Sequence, residues 1–310
     1  MTVIGIDAGG TRTVGYLADA DARVLATARG AGANLHSEGE AGVERVLREL
    51  IAALTSAGSA DPVAAIGAGM AGAARPEDVA SITRVLDRIL PGVPSVVVTD
   101  ALVALEAGTP GGAAVVLISG TGSIAYGRDH QGRAARAGGW GYVLGDEGSG
   151  YWLGRNALRS VVRAADGRGR ATALTARVLA HYGVATPEDL VRSIAGPGTK
   201  PSAIAKLAGA VGEAAVDGDA IARHLIDRGA EELASAAGSV AGRLSLTSAP
   251  IWLAGGTLLG VAALREAVIR ELEKSVPGLV PAPLAVEPAL GAVRLACDLV
   301  AARLHLPQSD

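Results

Sequence analysis

Apolar residues along the chain change their spacing several times, and each change predicts an element. Thr2 to Ile6, Thr13 to Leu17 and Arg23 to Ala28 are short runs rich in β-branched and aliphatic residues, as expected of a three-stranded meander. From Ala41 to Ala57 the period becomes helical, and Val43, Val46, Leu47, Leu50 and Leu54 fall on one face. A buried-type strand from Pro62 to Ile66, a helix from Pro76 to Leu90 and the strands Ser95–Val98 and Ala113–Ile118 follow, with Ile124 to Gly127 continuing the last as a hairpin. Residues 151 to 246 are mostly helical, as Tyr151–Ala164, Ala171–His181, Pro187–Ile194, Lys200–Ala214 and Asp219–Leu244. The strand Ile251–Ala254 then leads to helix Val261–Leu272, and Ala289–Leu304 is the last helix.

The turns between these elements carry the candidate chemistry. Asp7-Ala8-Gly9-Gly10-Thr11 joins the first two strands, and Ser119-Gly120-Thr121-Gly122-Ser123 breaks the strand at Ile118. Small residues and hydroxyls let backbone N–H groups approach an anion closely, so each turn is either an ordinary β-turn or a phosphate cradle. The strand Ser95–Val98 delivers Thr99 and Asp100 to its end, where a carboxylate can face a cleft. Two glycine turns and an acid predict phosphoryl transfer to a hydroxyl, the turns holding a polyphosphate from opposite sides and Asp7 facing a hydrated Mg²⁺.

Other segments have two readings each. Asn34, in the polar loop Gly30–His36, either contacts a substrate hydroxyl or occupies a left-handed turn position. Trp140, among Gly138, Gly139 and Gly141, offers a flat surface for a sugar ring or fills the core. Asp146 either accepts from sugar hydroxyls or caps the helix beginning near Ser149, and Glu147 beside it is the second acid of that loop. Gly255-Gly256 leaves a slot for a base and ribose or forms a plain strand-to-helix loop. Gly67-Ala68-Gly69-Met70-Ala71-Gly72 matches the dinucleotide fingerprint G-x-G-x-x-G, which read literally predicts a nicotinamide-dependent dehydrogenase. Three strands and a helix precede it, and Gly72 does not open the helix that follows, so the loop is expected to line the same cleft instead.

Composition narrows the classes. At 310 residues the chain can form two domains, and 49% hydrophobic content supports a well-buried core. A net charge of −3, mixed along the chain, gives no footprint for nucleic acid or an anionic membrane, so the partner is a small molecule. The single cysteine, Cys297, excludes a disulfide framework or a cysteine cluster within one chain and reads as a small core residue. The five histidines show no metal spacing. Without a basic leader or an apolar run of membrane-spanning length, a soluble, cytoplasmic protein is expected.

Taken together, Gly5–Thr11, Thr99-Asp100-Ala101, Leu117–Ser123, Gly138-Gly139-Trp140-Gly141, Gly145–Ser149 and Ala254-Gly255-Gly256 resemble the sugar-kinase, actin and heat-shock-protein ATPase superfamily. The branch they resemble holds the N-acetylglucosamine kinases and the BadF/BadG/BcrA/BcrD-type ATPases, over nearly the whole chain. The resemblance implies a two-domain α/β fold of the actin-like (ribonuclease H-like) type, each domain a mixed sheet with flanking helices and a cleft between them. Residues 1–110 would bind sugar and phosphate and 111–310 the nucleotide, with a compact hinge near Thr109–Gly112 and the last helix packing back on the first domain.

It further implies an ATP- and Mg²⁺-dependent kinase, a homodimer by the family's habit, acting on the 6-hydroxyl of an amino sugar. Asp100 would be the general base; Asn34, Asp100, Gly139, Trp140, Gly141 and Asp146 would contact the sugar. Gly9, Gly10, Thr11, Gly120, Thr121, Gly122, Ala205, Gly255 and Gly256 would contact the nucleotide, and Asp7 the metal. One cysteine argues against the iron–sulfur dehydratase activators of the branch. Neither the cysteine-rich zinc motif of the ROK-type kinases nor a regulator's N-terminal helix-turn-helix is present. Ala71 offers a methyl where the N-acetylglucosamine kinases can offer a hydroxyl, leaving N-acetylglucosamine, glucosamine and N-acetylmuramic acid as candidate substrates. A sugar-sensing module of the same fold that does not transfer phosphate is the alternative from another class.

Overall fold

The computed structural model describes residues 1–57, 61–194 and 199–309. Contacts divide the chain into two compact units, Met1–Ala114 with Arg128–Ala134 and Leu284–Asp310, and Val115–Gly127 with Ala135–Pro283.

The first unit is built on a sheet ordered β3-β2-β1-β4-β5, formed by β1 (Thr2–Ala8), β2 (Arg12–Asp19), β3 (Val24–Ala31), β4 (Val63–Met70) and β5 (Ser95–Val98). The meander β1–β2–β3 is antiparallel, and β4 and β5 add in parallel. Helices α1 (Leu35–Ala57) and α2 (Pro76–Ile89) pack against each other, with α1 against β2 and β3 and α2 against β5. Helix α3 (Asp100–Gly108) packs against β1 and β4 and against the late helix α12 (Ala289–Val300). On α1 the predicted face is buried, and each such side chain contributes about 1.5–3 kcal/mol. The helix begins six residues earlier than its apolar period, because Leu35 to Glu38 form a separate turn that joins it across non-helical Gly39.

Strand β4 is longer than its hydrophobic run, since Gly67, Ala68 and Gly69 continue it rather than forming a phosphate loop. A Cβ on Gly67 would stand 2.0 Å from the Ala292 carbonyl oxygen, and one on Gly5 2.4 Å from the Val293 nitrogen. These glycines let α12 (Ala289–Val300) lie directly on the sheet. The dinucleotide fingerprint is therefore a packing pattern within a strand, which removes the geometric basis of the dehydrogenase reading. Cys297 lies half-buried on α12 beside Val3, Ala18 and Ala65.

The second sheet has the order β10-β9-β6-β7-β8-β11. Its strands are β6 (Ala114–Ser119), β7 (Ser123–Arg128), β8 (Arg133–Gly138), β9 (Ala249–Ala254), β10 (Leu279–Pro283) and the two-residue β11 (Gln308–Ser309). The second unit's helices are α4 (Gly150–Ala165), α5 (Leu174–Tyr182), α6 (Leu190–Ile194), α7 (Pro201–Ala205), α8 (Ala208–Val216), α9 (Ala220–Arg243), α10 (Gly256–Gly260) and α11 (Ala262–Ser275). Their apolar faces form one core with the central strands, including Val115, Leu117, Leu153, Leu233, Ile251 and Leu264. Among the described residues no helix is long and apolar enough to cross a membrane.

Candidate active site

In the first unit the chemistry gathers where β1, β3, β4 and β5 end. The turn after β1 closes with the Gly9 N–H donating to the Arg12 carbonyl at 3.0 Å. The Ala8 carbonyl accepts from the Ala71 N–H at 2.8 Å and the Gly9 carbonyl from the Ala33 N–H at 3.2 Å. These bonds hold the loops after β3 and β4 beside the glycine turn, so Asp7, Gly9, Gly10, Thr11 and Asn34 share one edge. Asn34 does not have the left-handed conformation its sequence allows. Its Oδ1 accepts from the His36 N–H at 2.9 Å, as an N-cap does, which leaves its amide nitrogen to donate elsewhere.

Thr99 caps α3 through Oγ1, which accepts from the Leu102 N–H, and Asp100 is the helix's first residue. The Asp100 carboxylate accepts from the Ala101 N–H at 3.0 Å. Burial nevertheless raises its pKa above the ordinary range, against the opposing pull of backbone amides. Asp7 is raised to about 7, first by burial and next by the charge of Asp100, while Arg12 lowers it and Glu287 raises it. Two half-buried carboxylates in electrostatic contact thus stand at the ends of β1 and β5. Glu287 bridges Arg12 and Arg29, 3.4 Å from each.

In the second unit the corresponding groups are backbone. The turn between β6 and β7 closes with the Gly120 N–H on the Gly122 carbonyl at 2.9 Å. The Gly120 carbonyl accepts from the Gly150 N–H and from Thr257 Oγ1, both at 2.8 Å. The Thr121 carbonyl accepts from the Tyr151 N–H at 3.3 Å, which joins the turn to the start of α4. Gly255, with φ +93°, lies so close to β6 that a Cβ would meet the Ser119 carbonyl oxygen at 2.4 Å. Ala205 meets the same cluster, 3.1 Å from where a Cβ on Gly150 would be. Gly120, Thr121, Gly122, Ala205, Gly255 and Gly256 are thereby brought to one place; Gly256 starts the short helix α10 instead of lying in a loop.

Asp146 does not cap α4, because Ser149 does, its Oγ accepting from the Trp152 N–H. Instead Asp146, buried and with φ +62°, accepts from the Ser123 N–H at 3.2 Å, and burial foremost raises its pKa. A left-handed non-glycine residue holding a buried carboxylate against a hairpin is strained, and such strain gathers at functional sites. Trp140 is 64% exposed, so it does not fill the core. Its ring lies 4.5 Å from the Arg136 guanidinium and lines a recess of about 250 Å³ with Gly138, Ser123 and Glu147. The Gly139 N–H donates to the Ser123 carbonyl at 2.9 Å, which ties this loop to β7, and Gly141 is exposed beyond it.

Sequence reasoning missed several groups of this constellation. Ser119, Ser123 and Thr257 are buried hydroxyls that hold carbonyls of the loops, and hydroxyls directly flanking glycine turns were their only signal. His36 and Asp78 were missed as well, since 42 residues separate them and only the fold brings them together. Among the described residues no group of three or more His, Cys, Asp and Glu side chains is placed to hold a metal.

The model of the BadF/BadG/BcrA/BcrD ATPase family matches residues 4–296. An N-acetylmuramic acid/N-acetylglucosamine kinase of Clostridium acetobutylicum is 35% identical over 303 residues, covering 96% of this chain and 99% of the relative. An N-acetyl-D-glucosamine kinase of Dictyostelium discoideum is 31% identical, covering 95% and 97%. Among solved structures, a provisionally assigned N-acetylglucosamine kinase from Chromobacterium violaceum superposes with a TM-score of 0.79 at 28% identity, covering 94% of this chain and 98% of that one.

Proposed function

We propose, for a chain that belongs to the BadF/BadG/BcrA/BcrD ATPase family, an ATP-dependent kinase acting on the 6-hydroxyl of an amino sugar, with N-acetylglucosamine as the first candidate. Glucosamine and N-acetylmuramic acid are the alternative acceptors. The observation that carries the reading is the pair Asp7 and Asp100, two carboxylates raised by burial and in electrostatic contact at the ends of β1 and β5, the strands on either side of β4.

In this reading Asp100 takes the proton of the attacking hydroxyl. The sugar oxygen forms a bond to the γ-phosphorus, the bond from that phosphorus to the β,γ-bridging oxygen breaks, and ADP leaves. A carboxylate with a raised pKa is the better base, because its proton affinity lies nearer the working pH. In the first unit the Asn34 amide nitrogen is the candidate donor to a sugar hydroxyl; in the second unit the candidate sugar contacts are the polar groups of the Trp140–Asp146 loop and the exposed indole face. In each glycine turn the first amide closes the turn, so the Gly10 and Gly122 amides are the ones assigned to phosphate oxygens, and the open space over Gly256 is the slot assigned to the nucleoside.

The residues present fit a divalent cation at Asp7: among the described residues no side-chain hydrogen bond or ion pair of its carboxyl is found, and burial and like charge hold its pKa up. Such a cation would supply neutralising charge to the phosphates.

Asp100→Asn tests the reading. In a coupled ADP-release assay over a panel of amino sugars, turnover falls by about two to four orders of magnitude while ATP binding and melting temperature are kept. Near-normal turnover in the variant would remove Asp100 from the chemistry. Absence of sugar-dependent ADP release in the unaltered protein would favour a sugar-sensing module.

A further inference from the structure

We propose that His36, seated against Asp78, sets substrate choice by receiving an anionic substituent on the amino sugar, of the kind a carboxylate-bearing ether provides. The inference rests on the amino-sugar reading and deepens it, by naming the group that tells one acceptor from another.

Three observations converge on this imidazole. Its backbone N–H is the donor to Asn34 Oδ1 at 2.9 Å, so the residue is held two positions from the proposed sugar contact. Gly72, in the loop after β4, packs on both residues: a Cβ there would be 3.0 Å from His36 Cδ2 and 3.2 Å from Asn34 Oδ1. The third concerns Asp78, in the first turn of α2. It is only 8% exposed, and its Oδ2 is buried with no hydrogen bond among the described residues.

A buried carboxylate oxygen without a donor is costly, and native structures rarely keep one without a use. Here the ring nitrogen Nε2 of His36 stands 3.5 Å away, just beyond a good hydrogen bond. The ring itself is open, with its side chain 58% exposed.

The geometry describes a relay waiting for its outer member. With Nε2–H directed at Asp78, Nδ1 is the nitrogen left to an incoming group. A neutral ring could accept one hydroxyl there. A carboxylate on the open side does more, because a ring protonated at both nitrogens donates to the ligand and to Asp78 together. That arrangement strengthens a contact that stands at 3.5 Å in the free protein, and so satisfies the buried oxygen more fully. Asp78 is then a positioning residue, and His36 is the group that touches the substrate.

The experiment compares N-acetylglucosamine with its 3-O-lactyl ether as acceptors for the unaltered protein, His36→Ala and Asp78→Asn. In His36→Ala the ratio of kcat/KM for the lactyl ether to that for N-acetylglucosamine is expected to fall roughly tenfold to hundredfold, through KM. Asp78→Asn moves the same ratio in the same direction by less, since the ring remains but loses its partner. Equal losses on both sugars overturn the inference, as does an unaltered protein that phosphorylates N-acetylglucosamine and ignores the ether.

Should the unaltered protein phosphorylate neither sugar, the kinase reading fails separately, and calorimetric titration of both sugars decides the inference. Binding of the ether weakened selectively by His36→Ala supports it; binding of both sugars unchanged by that variant overturns it.

Discussion

The two units carry their candidate chemistry in different materials. In the first, side chains do it: Asp7 and Asp100 are charged groups whose proton affinity burial has changed, and the backbone around them makes ordinary strand, turn and cap bonds. In the second, the backbone does it: Gly122 and Gly255 are placed by close approach, Gly120 and Thr121 by main-chain bonds to the start of α4, and the nearby side chains Ser119, Ser123, Thr257 and Asp146 hold main-chain groups. The contrast teaches where function and stability separate. An isosteric change in the first unit can abolish chemistry and leave the fold intact. A change of one methyl group at Gly122 or Gly255 in the second must damage packing before it touches a ligand.

The largest effect on stability is therefore expected at Gly255. Gly255→Ala places a Cβ against the Ser119 carbonyl in a backbone region that L-residues rarely adopt. Destabilisation of about 2–4 kcal/mol follows from strain and displacement together, read as a lower urea midpoint with an unchanged slope. A midpoint within error of the unaltered protein would show that β6 and the Gly255 turn give way easily, and that the second unit is not rigid as the contrast requires.

Asp7→Asn should act in the opposite direction. The folded-state pKa of Asp7, about 7, lies above the ordinary 3.8, so the folded protein binds the proton more tightly than the unfolded chain. That contribution to stability is complete below about pH 4 and is lost as pH rises toward 7 and beyond. The asparagine variant loses nothing over the same range. At pH 8 without divalent cations it should be more stable than the unaltered protein by on the order of 2 kcal/mol, with the two converging near pH 4. Added Mg²⁺ should raise the melting temperature of the unaltered protein at pH 8 and leave that of the variant in place. Equal stability at pH 8, or an equal response to Mg²⁺, would show that Asp7 is not the strained, cation-seeking group of the first unit.

The same contrast explains what was legible in the sequence. Side-chain chemistry on strand ends could be read, because β-branched runs locate strands and Asp7 and Asp100 lie at the ends of two of them. The antiparallel meander and the buried face of α1 follow from period alone. Strands β8 and β10 were not legible. RAARAG has no β-branched residue, and the prolines of LVPAP are tolerated because β10 is the edge of its sheet. Glycines misled most, for a glycine needed by a phosphate and one needed by a crossing helix look alike. Gly67 proved to be the second kind. Nor could spacing show that Asp146 turns toward Ser123 while Ser149 caps α4, since both residues suit a cap and only the hairpin's position decides.

The finest test of the contrast lies among the hydroxyls of the second unit. Ser123 Oγ donates to the Glu147 carbonyl at 2.8 Å, and Thr257 Oγ1 donates to the Gly120 carbonyl at the same distance. The two bonds look equivalent, yet their acceptors differ. The Gly120 carbonyl keeps the Gly150 N–H when Thr257 is replaced, whereas the Glu147 carbonyl has the Ser123 hydroxyl as its donor. Ser123→Ala should therefore cost about 1–2 kcal/mol, the penalty of an acceptor left without its bond. Thr257→Val, close in shape, should cost about 0.5–1 kcal/mol, the net worth of one of two bonds. Urea midpoints of the two variants rank them, and a larger loss in Thr257→Val would mean that the Gly150 amide does not hold the turn by itself. In that case the loop's position would depend on a side chain after all, and the division between side-chain and backbone chemistry would be less sharp than the two units suggest.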